Sequence, residues 1–425
     1  MLNVFGQCFL TLKGVFMETE IHISSEVGTL KAVLLHRPGV ELESLTPQHL
    51  NSMLFEDIPY LAQMQDEHDL FAKTLQEHGC QVFYLETLLE EICMRSEVRS
   101  TVIEHLVGAS PLFSPSLKAS ITNHLEEASV KQLVEYCTGG LLKSAVDDKV
   151  QEKTLSYFIR DSYPYYISPL PNLYFTRDPA TIVNNGICIN VMKTEYRKRE
   201  SWLISLLAQH HPLFASTSIH SNYSRGSSIE GGDILILNET CAIVGSSART
   251  DVWAIEAFAR KMTDPIELGG EALKKVLVIQ IPITRAYMHL DTVFTMVDRA
   301  KFCLFPDIES SLRVFSITRK NQDFLDIREE KSLKQALAQA LGLPTVKIMR
   351  SGGNDNIAAA REQWNDGTNT LAIEPGTVIA YRRNIVSNEN LEKNGVTVIP
   401  IRGSELVRGR GGPRCMSMPL YREKL

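Results

Sequence analysis

The sequence predicts an α/β chain built from a recurring module, with a small helical region inserted after the first. Three observations carry this. Five brief β-rich runs lie beside turn-forming residues: KAVLLH near 33, TIVNNGICINVM near 185, CAIVGS near 243, KFCLFPD near 303 and GTVIAYRR near 379. Amphipathic helical stretches fall between them, at Glu200–His210, Asp251–Lys261 and Lys331–Leu341. Residues Thr87–Lys149, in contrast, are rich in Leu, Glu, Lys and Ala, follow a helical period and contain few strand-like runs. Five β-turn-β, helix, β units point to modules set around an axis. An open α/β sheet competes with that arrangement, although no GxGxxG or Walker loop supports a nucleotide-binding version of it.

In chain order, LKAVLLH at 30–36 reads as a buried strand closed by Arg-Pro-Gly. Leu61, Met64, His68, Phe71 and Leu75 recur at three- and four-residue steps, which predicts a helix over Tyr60–His78 stopped by Gly79. QVFYL at 81–85 is the strand after it. Helical periodicity then runs through LLEEICMRSEVRSTVIEHLV and SLKASITNHLEEASVKQLVEYC, broken near Pro111 and Pro115 and at Gly139-Gly140. After Tyr163 short strands return, among them KVLVIQIPI at 275–283. The expected organisation is an extension at 1–16, an α/β domain from 17–86 and 156–425, and an inserted helical domain at 87–155.

With 425 residues, 44% of them apolar, the chain can bury more than one compact core. Its 44 Lys and Arg against 50 Asp and Glu give a net charge of −6, so nucleic acid and anionic membranes are not the expected partners. Eight scattered cysteines without a CxxC pair point to a reducing, cytoplasmic compartment and no structural metal. No run reaches the ~18 apolar residues of a membrane span. The first sixteen residues lack a basic start and a small-residue cleavage site, so they do not read as a signal peptide, and Met17 opens a more ordinary beginning.

Five stretches carry chemistry. The terminal Gly409–Pro419, GRGGPRCMSMP, holds Cys415 in a glycine-rich bend between Arg410 and Arg414, cations expected to favour a thiolate. PLPNLYFTRDP at 169–179 sets Asn172, Phe175 and Asp178 between prolines, as a rigid turn or as a carboxylate and aromatic receptor for a flat cation. Glu230-Gly-Gly-Asp233 stands at the start of the strand ILIL, as a surface turn or as the acidic rim of a cleft. In His289-Leu290-Asp291 an extended backbone would turn the imidazole and the carboxylate to one face. An HxD also suggests a metal, but no third ligand of suitable spacing accompanies it, and a structural histidine is the plainer alternative. Arg197, Arg249 and Arg410 lie near small residues and matter only where the fold brings them to the acids. A thiol with an imidazole suggests a cysteine protease, yet a surplus of acids does nothing for attack on a neutral peptide. Those carboxylates suit a cationic carbon, such as that of a guanidinium, as the target.

PLPNLYFTRDP, EGGDILIL, HLDTVF and GRGGPRCMSMP, in this order, resemble the bacterial arginine deiminase family from about residue 20 to Leu425. The resemblance implies a five-module, pseudo-symmetric α/β propeller with an inserted helical domain. It implies that Cys415 is the nucleophile, that Glu230 and His289 move protons, and that Asp178 and Asp291 hold the guanidinium. Asn172, Arg197 and Arg249 would hold the α-amino acid end, Asp233 would help orient it, Phe175 would pack on the side chain, and Arg410 would lie on a gating loop. Lys198 and Arg199 compete with Arg197 for its place. The implied reaction turns free L-arginine into citrulline and ammonia without metal or organic cofactor, in a homo-oligomer (dimer or tetramer). An amidino-transfer enzyme, an agmatine deiminase and a catalytically silent arginine-binding protein are the competing readings.

Overall fold

The computed structural model describes residues 20–108, 114–147, 163–220, 226–284 and 286–425. The extension at 1–16 and the junction at 148–155 therefore fall outside the described residues.

Among the described residues, five units repeat one topology: two antiparallel strands, a helix, then a third strand parallel to the second. In one, Ala180–Val183 pairs antiparallel with Gly186–Ile189, the helix Lys198–His210 crosses over, and Ser218–His220 lies parallel to the middle strand. The tight connection uses Asn184 at φ 49°, a left-handed position that Asn tolerates. The same order recurs in Ile234–Asn238, Cys241–Ser246, helix Val252–Met262 and Lys275–Gln280. It recurs again in Phe294–Asp298, Lys301–Leu304, helix Leu333–Leu341 and Lys347–Arg350, and in Leu371–Glu374, Thr377–Tyr381, helix Ile385–Lys393 and Thr397–Ile401. The remaining unit is made from both ends of the chain. Leu30–Leu35 runs parallel to Gln81–Tyr84 across the helix Leu61–Glu77, and its antiparallel partner is Met418–Arg422.

The middle strands are the apolar runs visible in the sequence because they are covered on both faces. Val33, Leu34, Leu35, Ala242, Ile243 and Val244 are all fully buried. The reading of KVLVIQIPI as one strand to 283 is too long: pairing ends at Gln280, and Pro282 has no N–H to extend the ladder. A hairpin of Arg313–Arg319 and Leu325–Glu329, with one strand mostly exposed and charged, widens the third sheet to five strands. Its mixed pattern gives no strand signal.

Among the described residues four helices, Leu85–Cys93, Ser96–Gly108, Pro115–Glu127 and Val130–Gly139, follow the first unit. Ser129 and Gln132 form a reciprocal cap on the last of them. Their buried faces, including Leu88, Ile92, Val102, Leu106, Ile121, Leu125 and Leu133, share one apolar cluster with the strands of the second and third units. No described helix is long and apolar enough to cross a membrane.

Each unit offers a polar side chain one to three residues ahead of its first strand: Asp178, Asp233, Asp291, Asn369 and Cys415. Hydrogen bonds link these turns in a cycle. Gly232 N–H donates to Asp178 Oδ1 (3.1 Å) and Leu290 N–H to Asp233 Oδ1 (2.7 Å). Asn369 Nδ2 donates to the Asp291 carbonyl (3.1 Å), Cys415 N–H to Asn369 Oδ1 (3.0 Å), and Arg177 N–H to the Cys415 carbonyl (3.2 Å).

Candidate active site

The glycines of the terminal loop are explained by close approach. A Cβ on Gly411 would strike the Phe175 ring, one on Gly409 the Tyr174 hydroxyl, and one on Gly412 would come within 2.6 Å of the Asn369 carbonyl. Tyr381 Oη donates to the Gly411 carbonyl (2.9 Å) and Tyr174 Oη to the Leu406 carbonyl (3.0 Å), fixing the loop from below. Gly231 and Gly232 serve the same purpose, because a Cβ on Gly232 would lie 2.7 Å from the His289 ring and 2.9 Å from Asp178 Oδ1.

Cys415 is 3% exposed and lines a tight cavity together with Leu54, Asn172, Phe175, Asp178 and Arg197, and with Arg249, Met288, His289, Gly409 and Arg410. Its sulfur lies 3.5 Å from Asp291 Oδ2. Of the two flanking cations Arg414 does pull toward the thiolate, but it is outweighed. Burial and the charges of Asp291, Asp178 and Asp366 push the thiol well above its ordinary pKa, against the opposing pull of Arg414. Arg414 is itself committed to Glu26 (3.0 Å) and Asp291 Oδ2 (2.8 Å), and Arg410 lies over the Trp364 ring at 3.8 Å.

His289 and Asp291 do come to one site, but not along an extended strand. Leu290–Thr292 forms a single 3-10 turn that buries Leu290 and hands the two side chains to different partners. His289 Nε2 is 2.7 Å from Glu230 Oε2, and its Nδ1 is 3.8 Å from Asp178 Oδ1. Burial disfavours the imidazolium, yet Asp178 and Glu230 outweigh it and raise His289 to about 9. Burial likewise works against the two carboxylates, and His289 and Arg197 hold both below the usual range.

Among the competing cations, Arg197 reaches the cavity; Lys198 is exposed beside Glu195, and Arg199 donates to the Ser168 carbonyl. Arg197 does not wait free for a carboxylate. Its Nη1 donates to Asp178 Oδ2 (2.7 Å), while Nε (3.0 Å) and Nη2 (2.8 Å) grip Glu200. Asp178, Glu230 and His289 come within 4.8 Å of one another, close enough to share a cation. The Arg197 guanidinium, 3.9 Å from Glu230, already supplies positive charge there.

At the other end Arg249 Nη1 is buried without a hydrogen-bond partner, as are Nε and Nη1 of Arg410, while Arg249 Nη2 approaches the Met288 sulfur at 3.6 Å. At the thiol end Asp291 Oδ1 is likewise buried and unpaired. Phe175 forms one wall of the cavity, and Asn172 another, with its Nδ2 given to the Met53 carbonyl (2.7 Å). Asp233 is set behind the cavity. Ser247 Oγ (2.7 Å) and Leu290 N–H (2.7 Å) occupy its carboxylate, and burial raises it to about 6.

A family model described as arginine deiminase matches residues 51–422. The chain belongs to the arginine deiminase family. It is 44% identical over 412 residues to an arginine deiminase of Streptococcus equi subsp. equi and equally to one of Streptococcus pyogenes serotype M3, covering 96% of this chain and 99% of each relative. Among solved structures its fold resembles SxtG, an amidinotransferase from Microseira wollei, at TM-score 0.55 and 12% identity over 95% of this chain and 98% of that one. It also resembles DDAH from Pseudomonas aeruginosa complexed with citrulline, at TM-score 0.50 and 14% identity over 92% and 99%.

Sequence reasoning misses two residues and misjudges the setting of a third. Asn369 lacks the charge that draws attention, but Thr368-Asn369-Thr370 precedes the strand LAIE as the acidic turns precede theirs. Glu200 is legible only as a first-turn helix acid, three positions after Arg197. Arg414 looks from its position like a cation for the sulfur, whereas its buried partners Glu26 and Asp291 are 388 and 123 positions away.

Proposed function

We infer that this chain hydrolyses free L-arginine to L-citrulline and ammonia. The observation that carries the choice of substrate is the pair of unsatisfied ends: a carboxylate oxygen beside the thiol and guanidinium nitrogens of Arg249 and Arg410 across the cavity have no hydrogen-bond partner, with Arg410 Nη1 reaching only Glu56 at 4.0 Å. A molecule with a guanidinium at one end and a carboxylate at the other fits both. Agmatine would leave the arginines unanswered.

Asp291 and Asp178 hold the substrate cation, and Phe175 packs on its aliphatic part. Arg249, Arg410 and Asn172 take the amino-acid end. Arg197, tied to Glu200, serves this reading better as a brace for Asp178 than as the carboxylate partner, and Asp233 acts through the Leu290 turn. The thiol, surrounded by carboxylates, releases its proton to solvent as the guanidinium brings in a positive charge, so the charge of the site is unchanged. The sulfur bonds to the guanidinium carbon, giving a tetrahedral centre. His289 protonates one nitrogen, which leaves as ammonia, and a cationic amidino-thioether remains. Neutral His289, steadied by Glu230, then takes a proton from water as its oxygen bonds to the carbon. The carbon–sulfur bond breaks with the electron pair on sulfur, and loss of one further proton yields the ureido product.

The cycle of hydrogen bonds from Asp178 through Gly232, Leu290, Asn369 and Cys415 to Arg177 supports a closed five-module propeller, with 87–155 as an inserted helical domain and 17–86 with 156–425 as the catalytic one. The seven described cysteines are unpaired, which supports a cytoplasmic setting. A homo-oligomer, dimer or tetramer, completes the reading.

The test is citrulline release from arginine together with mass spectrometry of acid-quenched enzyme. Wild type should carry an amidino adduct on Cys415, and Cys415→Ser should form neither adduct nor citrulline, because a serine hydroxyl is scarcely ionised near neutrality. Turnover by the serine variant, or label on another cysteine, would remove Cys415 from its role.

A further inference from the structure

We propose that Asn369 is a catalytic residue of this site, whose side-chain N–H holds the Cys415 sulfur in its thiolate form both before attack and as the sulfur is expelled. The proposal rests on the deimination reading and adds to it.

Asn369 is fully buried, and its amide makes three contacts that fix its orientation. Oδ1 accepts the Cys415 backbone N–H at 3.0 Å, so Nδ2 is the atom that faces the sulfur, at 3.1 Å, and its second hydrogen goes to the Asp291 carbonyl at 3.1 Å. The amide is thus held by the backbones of two turns and cannot rotate away from the thiol. Its donation to sulfur is stronger when sulfur is anionic, as for any charge-assisted bond.

The surroundings make such a donor necessary. The neighbours of Cys415 include the carboxylates of Asp291, Asp178 and Asp366, and the cation beside it, Arg414, is shared with Glu26 and Asp291. The sulfur becomes negative twice in each turnover: it forms the carbon–sulfur bond as a thiolate, and it takes the electron pair when that bond breaks. During expulsion the substrate cation has been converted to product, and the Asn369 N–H is then the neutral donor in contact with the leaving sulfur.

Asn369→Asp separates this role from a structural one. An aspartate keeps the shape and the oxygen that accepts the Cys415 N–H, but it turns an acceptor toward the sulfur. Substrate-free enzyme is treated with iodoacetamide across pH, and inactivation is followed by Cys415 alkylation in the mass spectrum, which does not depend on the identity of the substrate. Asn369→Asp is expected to move the alkylation profile upward by at least about one pH unit and to lower kcat about 100-fold or more, with KM for arginine changed less than about threefold. Asn369→Ser, which can point a hydroxyl at the sulfur, should recover part of both. If Asn369→Asp kept the wild-type alkylation profile and kcat within about twofold, Asn369 only supports the turn. If the serine variant folded and did no better than aspartate, donation to sulfur is not its contribution. Should the aspartate variant fail to fold, serine against alanine gives the same decision: equal profiles for the two overturn the proposal.

Discussion

Arg249 offers the sharpest test of how arginine is told from its decarboxylated analogue. Its backbone is fixed independently of its side chain: its N–H donates to Ser247 Oγ at 3.0 Å, and its carbonyl accepts from Ser228 Oγ at 2.8 Å. Arg249→Ala therefore removes the guanidinium and leaves the loop. In the free enzyme Nη1 has no partner, so a substrate carboxylate gains a buried, charge-assisted bond, and truncating one member of such a pair costs about 2–5 kcal/mol. At about 1.4 kcal/mol per decade, kcat/KM for arginine should fall roughly 30- to 4,000-fold. Agmatine has no carboxylate to lose, so its kcat/KM should change less than about threefold. Initial rates of ammonia release for two enzymes and two substrates decide the matter. Equal losses on both substrates would show that Arg249 shapes the cavity without reading the carboxylate.

Three further outcomes follow from the ion network. Asp178→Asn leaves Arg197 with Glu200 as its close partner and removes a carboxylate from His289; breaking one side of a buried pair costs about 3–5 kcal/mol, and a fall in both kcat/KM and thermal midpoint should register it. Wild-type efficiency in the Asp178→Asn variant would reduce that residue to a turn. The His289 pKa is raised in the fold from its ordinary value of 6.5 to about 9, so its ion pairs stabilise fully below 6.5 and are lost as pH climbs through about 9. The difference in midpoint between wild type and His289→Leu should therefore shrink as pH rises from about 6.5 to just above 9. Citrulline release should fall over the upper part of the same range as the proton for the leaving nitrogen disappears, and a flat response would remove the imidazolium from the mechanism.

The modules are legible because each middle strand is an uninterrupted apolar run and each crossover helix is amphipathic, as in CAIVGS followed by Val252–Met262. The strand Met418–Arg422 is hidden by Pro419 and by its partner, Leu30–Leu35, at the far end of the chain. Motifs identify Cys415, His289 and the carboxylates by chemical type, yet type alone misjudges their setting. The arginines flanking the thiol look like activators until their partners are known, since Glu26, Asp291 and Trp364 are remote in sequence. Asn369 is invisible for the opposite reason: an uncharged amide acquires meaning only from the atoms it faces.

The unit assembled from Leu30–Leu35 and Met418–Arg422 has a kinetic consequence. Four units draw their strands from contiguous stretches, whereas this one must close a loop of nearly the whole chain, and Glu26 meets Arg414 across 388 positions. Closure entropy of that kind delays non-local pairing relative to local structure. The nucleophile lies on the delayed side of that step. On dilution from denaturant, far-ultraviolet ellipticity should return before citrulline-forming activity, and simultaneous recovery would mean that the two ends meet early; a chain caught between the two events would hold most of its secondary structure and have no catalyst.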